Sequence, residues 1–131
     1  MTTPLSLAVR QARLTVVRDH IAALWLYDGT LPSSPDTATT DTKLATLTLA
    51  TPSGAIGATG AVATLTATVP IISTVAETGT VAWARFVNDT GVAVMDCPVS
   101  SVAGSTPVVL SDTNIFTGAE VQLLSCVITE A

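Results

Sequence analysis

Charge is the scarcest property of this chain. Only 11% of its 131 residues are Asp, Glu, Lys or Arg, against about 25% in an ordinary soluble domain. The ten acidic and five cationic residues leave a net charge of −5. That argues against a nucleic-acid partner, because phosphate binding needs clustered Lys and Arg. Three of the cations, Arg10, Arg13 and Arg18, sit near the N-terminus, so the remainder is more acidic still. Aromatic residues make up 4%, too few for a carbohydrate platform or a base-stacking surface. His20 is the only histidine, so a Ser-His-Asp or Cys-His set has little to draw on. At a helix end it reads as a carbonyl cap or a solvent-facing group.

Long apolar runs are missing as well. Leu44–Ala76 carries no charge, yet Thr, Ser, Gly and Pro punctuate it every few residues, so no membrane span is expected. Met1-Thr2-Thr3-Pro4 places no Lys or Arg ahead of an apolar run, and the three arginines would interrupt one; no signal peptide is expected and the chain reads as soluble. The two cysteines, Cys97 and Cys126, lie too far apart in sequence for a metal-ligand spacing. They read as buried thiols acting as small apolar groups rather than as a disulfide.

What is present is a large apolar fraction, 48%, diluted mostly by Thr, Ser and Gly. The length suits one domain that buries roughly two thirds of its unfolded surface. A surface so poor in charge favours a chain that hides area in an assembly. The alternative is a monomer whose outer strand faces carry Thr and Ser.

The clearest local pattern is Gly79–Asp96, GTVAWARFVNDTGVAVMD. Val81, Trp83, Arg85 and Val87 alternate with Ala82, Ala84 and Phe86, the two faces of a strand. Asn88-Asp89-Thr90-Gly91 supplies turn chemistry, and Val92, Val94 and Met95 restart the apolar run, so a hairpin is expected. Ahead of it, Thr3 as cap and Pro4 in the first turn open a helix that runs to about His20. Leu5, Val9, Ala12 and Val16 form one apolar row; Leu7, Leu14 and Ile21 form a weaker row on the opposite side, with Arg10 and Arg13 between. Such a helix has one edge for its own sheet and one for a neighbour, unless the second row is simply exposed leucine.

The expected strands are Ala22–Tyr27, Lys43–Ala50, Ala61–Val69, Ile71–Val75, Pro107–Leu110 (with edge character, because of the proline) and Ala119–Glu130. Cys97-Pro98 closes the second arm of the hairpin. Thr30–Thr42, Thr51–Gly60, Val99–Ser105 and Ser111–Gly118 read as loops or turns. Short strands with frequent turn signals predict a mainly β, single-domain antiparallel sandwich, jelly-roll or Greek-key-like, over about 22–130, with one N-terminal helix over about 4–20.

Catalytic signals are thin. Gly54, Gly57 and Gly60 could pass for a phosphate cradle, but the segment lacks a Lys and opens into a Thr-alternating strand rather than a helix. The carboxylates Asp28, Asp36, Asp41, Asp89, Asp96, Asp112, Glu120 and Glu130 sit at expected turns or element ends, where they serve as backbone acceptors. Trp25, Trp83, Phe86 and Phe116 are assigned to the core. No catalytic residue, cofactor or metal is expected.

LAVRQARL (Leu7–Leu14), LYDGTLP (Leu26–Pro32), LATLTL (Leu44–Leu49), the Gly79–Asp96 stretch and VITE (Val127–Glu130) together resemble a group of small proteins from the virion structural modules of tailed phages and prophages. The five pieces occur in that group's order and span most of the chain; Cys97-Pro98, Cys126 and the small-residue segment Val99–Pro107 depart from it. The resemblance implies a virion component without catalytic machinery. The leading expectation is a capsid decoration (cement) protein, a homo-oligomer that contacts the major capsid protein or other virion proteins. The expected contact parts are the helix face with Leu7, Arg10, Arg13, Leu14 and Arg18, and the loops Thr30–Thr42 and Thr51–Gly60. Arginines suit such a contact with acidic neighbours. The alternatives are a tail, baseplate or head–tail joining protein and, in another class, a glycan-binding module on the virion surface.

Overall fold

A computed structural model of the chain describes residues 6–37, 39–50, 53–60, 62–102 and 106–130. Among the described residues the fold is mainly β, 49% strand, with one helix at its N-terminal end. Helix α1 spans Leu7–His20 and is capped by Ser6, whose hydroxyl accepts a hydrogen bond from the Val9 N–H at 3.2 Å. The expected cap and first turn at Thr3 and Pro4 lie outside the described residues. At the other end His20 donates from Nδ1 to the Val16 carbonyl at 2.7 Å, the carbonyl cap its position suggests.

The strands are β1 (Ala23–Tyr27), β2 (Lys43–Thr48), β3 (Gly54–Thr59), β4 (Val62–Ala67), β5 (Ile71–Thr74), β6 (Gly79–Thr80), β7 (Trp83–Val87), β8 (Ala93–Ser100), β9 (Val108–Leu110), β10 (Asn114–Ile115) and β11 (Glu120–Glu130). They form one long sheet in the order β2-β1-β7-β8-β9-β11-β4-β3, with β5 also paired to β11 and with β6 and β10 as a separate small ribbon. Every pairing is antiparallel except β8 with β9.

The sheet curls until it almost meets itself. β5 pairs with the first half of β11, and its far side reaches the free edge of β2. There the Ala76 and Glu77 N–H groups donate to the Leu44 carbonyl at 2.9 and 3.1 Å, and Ser73 Oγ donates to the Thr46 carbonyl at 2.7 Å. An edge that would otherwise invite another strand is thereby largely covered. Inside the curl lie Leu24, Leu26, Leu44, Leu47, Phe86, Leu110 and Leu123, all fully buried. The β3–β4 hairpin extends beyond the curl as a wing, and α1 packs on it, with Leu14 and, just past the helix end, Ile21 in the core and Leu7 and Val17 packed against it.

Several local expectations fail for identifiable reasons. Gly54–Thr59 is a strand, not a loop, because glycine lets the backbone approach β4: a Cβ on Gly54 would run into the Thr66 carbonyl. β9 lies between β8 and β11 with all three residues buried, so it is an interior strand; Pro107 stands just outside it. β8 does not stop at Pro98 but continues to Ser100. Pro98 is the last partner of β7, opposite Trp83, and Val99 is the first partner of β9, opposite Val108, so the missing N–H falls where β8 changes neighbours. Phe116 is exposed rather than core.

Candidate interaction surfaces

The Gly79–Asp96 hairpin forms as expected, and its turn is held by one side chain. Asn88 Oδ1 accepts from the Thr90 N–H, the Thr90 hydroxyl and the Val92 N–H at 3.0, 2.9 and 2.9 Å, while Gly91 takes a φ of +82°. Both faces of β7 are buried. Ala84 and Phe86 join the main core; Trp83 and Arg85 on the other face are covered by the segment between β1 and β2.

That segment, the expected contact loop Thr30–Thr42, is tied down from below. Arg85 pairs with Asp96 through two bonds, Nε to Oδ1 at 2.8 Å and Nη2 to Oδ2 at 3.1 Å, and Nη2 also donates to the Thr37 carbonyl at 2.9 Å. Asp41 Oδ2 accepts from Trp83 Nε1 at 2.9 Å and from the Thr30 N–H at 3.2 Å. Asp28 Oδ1 accepts from the Thr42 N–H at 2.9 Å and closes the loop's base. Tyr27 stacks on Trp83 with ring centroids 4.5 Å apart, and Lys43 Nζ lies 4.2 Å above the Trp25 ring. The hydrogen bond with Asp96 holds the Arg85 pKa above its ordinary value, and burial raises that of Tyr27. Among the described residues no buried side-chain nitrogen or oxygen lacks a partner. The cluster is therefore a fastening: its polar groups are committed to each other and to the loop backbone.

The helix presents a different face from the one expected. Leu14 is 3% exposed and sits in the core, and Leu7 packs partly against it. Leu14 is thus a core residue, whereas Leu7 is half-buried at the edge of the core. The Leu7, Leu14, Ile21 row offers larger side chains than the Val9, Ala12, Val16 row, and burial favours the row with more apolar area. Val9 and Val16 point outward, 46% and 58% exposed; the sequence carries them as a row, but spacing alone does not say which row faces in. Leu5, the first member of that row, lies outside the described residues. Arg13 is exposed, Arg10 and Arg18 are half-buried, and Arg18 meets Asp19 at 3.1 Å. Gln11 fixes the helix to the wing by donating from Nε2 to the Gly57 carbonyl at 2.9 Å. The expected contact loop Thr51–Gly60 is accordingly mostly strand β3.

A pocket of about 480 Å³ opens at the C-terminal end of α1, with Arg18, His20, Ser53, Asn88 and Asp89 among its walls. Three of its polar groups are engaged locally: His20 with Val16, Ser53 Oγ with the Arg18 carbonyl at 3.0 Å, and Asn88 with its own turn. Cys97 and Cys126 are free and buried. Burial pushes the Cys126 thiol up to about 12 and the Cys97 thiol higher still, the opposite of an activated nucleophile. Among the described residues no three His, Cys, Asp or Glu side chains gather as metal ligands, and no helix is long and apolar enough to cross a membrane. No family model, curated protein or solved structure matches the chain.

Proposed function

We propose that this chain is a structural virion protein of a tailed phage, a decoration protein that docks on the outside of the capsid shell as a homo-oligomer and braces it. The reading rests on the resemblance of the five sequence segments and on one observation. The Thr30–Thr42 loop holds Leu31 outward, 42% exposed, on a backbone already fastened by Arg85, Asp41 and Asp28. A contact loop ordered before docking loses little conformational entropy when it docks, so more of its contact energy remains as affinity. The low charge of the body suits burial against another protein surface.

The test adds purified protein to shells lacking it. Capsid-number stoichiometry and a raised shell melting temperature are expected, and both should be lost with Leu31→Asp while the variant itself stays folded. Retention on host cell-wall material with no effect on shells would replace this reading with the glycan-binding one. Density for the chain in the tail or baseplate of an intact particle would move it to the joining class.

A further inference from the structure

The formal charge of the chain is unevenly placed. Helix α1 carries three arginines and one aspartate, a net of +2, whereas the other nine acidic residues and two cations leave the remainder at −7. On its outer side this basic helix exposes Val9, Ala12 and Val16.

A second exposed apolar group lies at the far end of the molecule and has the opposite surroundings. Phe116, 61% exposed, follows β10 at a tip where the Thr117 N–H and hydroxyl meet Thr78 Oγ1 at 2.9 and 3.1 Å. Glu77 immediately precedes Thr78; Asp112 bonds the Asn114 N–H at 3.0 Å; Glu120 begins β11. All three carboxylates are on exposed residues. The tip thus presents an aromatic ring amid acids, and the helix presents a valine row amid arginines. β11 runs between them. It starts at the tip with Glu120 and reaches the wing beneath α1 at Val127, where it pairs with Thr66. That is roughly 23 Å away at ~3.3 Å per residue.

We propose that the occupant of the helix face is a second copy of this chain, docked through its Phe116 tip. Unlike patches at opposite ends of one subunit make a heterologous contact, which closes into a ring or runs on as an open filament. An aromatic anchor at the centre with opposite charges around it is the arrangement that gives both affinity and orientation. The inference deepens the proposed function by naming the contact between copies. It leaves the Leu31 loop for the shell, and because its test uses the purified chain alone, its failure leaves the shell experiment intact.

The experiment measures mass by sedimentation at about 100 μM, a concentration suited to the weak end of interface strengths. Wild-type protein should exceed the monomer mass, and the excess should shrink as salt rises from about 0.05 to 0.5 M. Val16→Asp and Phe116→Ser should each be monomeric, with circular dichroism and unfolding midpoints like wild type, since both positions are exposed. An equimolar mixture of the two should form a one-to-one dimer and stop there, because it has one good tip and one good helix face. Leu31→Asp should assemble as wild type does. A monomeric wild type, a Val16→Asp or Phe116→Ser variant that keeps the wild-type mass, or a mixture that stays monomeric would each overturn the inference.

Discussion

Arg85 and Asp96 face each other in register across β7 and β8, with only 8% and 5% of their side chains exposed. Two parallel bonds satisfy the carboxylate, and a third from the same guanidinium reaches the Thr37 carbonyl of the covering loop. Removing one partner strands the other charge away from water. Asp96→Ala should therefore cost about 3–5 kcal/mol in urea unfolding. Replacing the pair together, Arg85→Met with Asp96→Leu, should recover most of that loss. The double variant should still be cut by protease within the Thr30–Thr42 loop faster than wild type, because the Thr37 tether is gone. Stability and loop order would then be separated in one protein.

Gly29 and Asp41 form a coupled pair on the same loop. Gly29 has a φ of +81°, and a Cβ placed there would collide with the Asp41 carboxyl group. Gly29→Ala should cost more than the ~1 kcal/mol of left-handed backbone strain alone, since Asp41 must also move. Asp41→Ala leaves the buried Trp83 indole N–H without an acceptor, a loss of about 1–3 kcal/mol. Both changes act through the same carboxylate, so the double variant should lose less than the two losses combined. Thermal melts of the three variants, followed by tryptophan fluorescence, read this directly.

The hairpin, the fold class, the helix and most strand positions were legible because their signals are local: alternation, turn residues and a 3.6-residue period. What failed depends on partners distant in the chain. The glycines of β3 argue against a strand until Thr66 is seen to require Gly54 bare. Pro107 and Pro98 suggest strand ends, and only the change of partner from Trp83 to Val108 shows why a strand passes through Pro98. Asp96 reads as a turn acceptor but pairs with Arg85 in β7. Asp41 does accept the Thr30 N–H, and it also reaches Trp83 on the same strand, 42 residues along the chain. On the helix, Arg13 is exposed while Leu14 faces inward, because spacing alone leaves open which apolar row is buried.

The two rows of α1 give a sharp test of that reversal. Leu14→Ala should cost about 2–5 kcal/mol, the usual loss for a buried leucine. Val16→Ser, two residues on but facing out, should stay within about 0.5 kcal/mol of wild type. Equal losses at both positions, measured by denaturant midpoints at constant slope, would mean that the helix is rotated from the orientation described.

Cys97 and Cys126 make the last prediction one of sign. Burial favours the neutral thiol of each, so both folded-state pKa values lie above the unfolded value, that of Cys126 at about 12. A raised acid pKa means that the native state holds its proton where the unfolded chain has released it. Stability from this source is whole below the unfolded thiol pKa, about 8.5, and is lost as pH climbs above it. The slope is at most about 1.4 kcal/mol per pH unit for each thiol. Urea midpoints should accordingly be flat from pH 7 to 8 and fall above about pH 9, and Cys126→Ala should flatten the fall. The same burial should keep both thiols unmodified by iodoacetamide at pH 8 in native protein while they react at once in denaturant, with intact mass as the readout. Rapid native labelling of either one would place that thiol at the surface and remove the cause assigned to its shift.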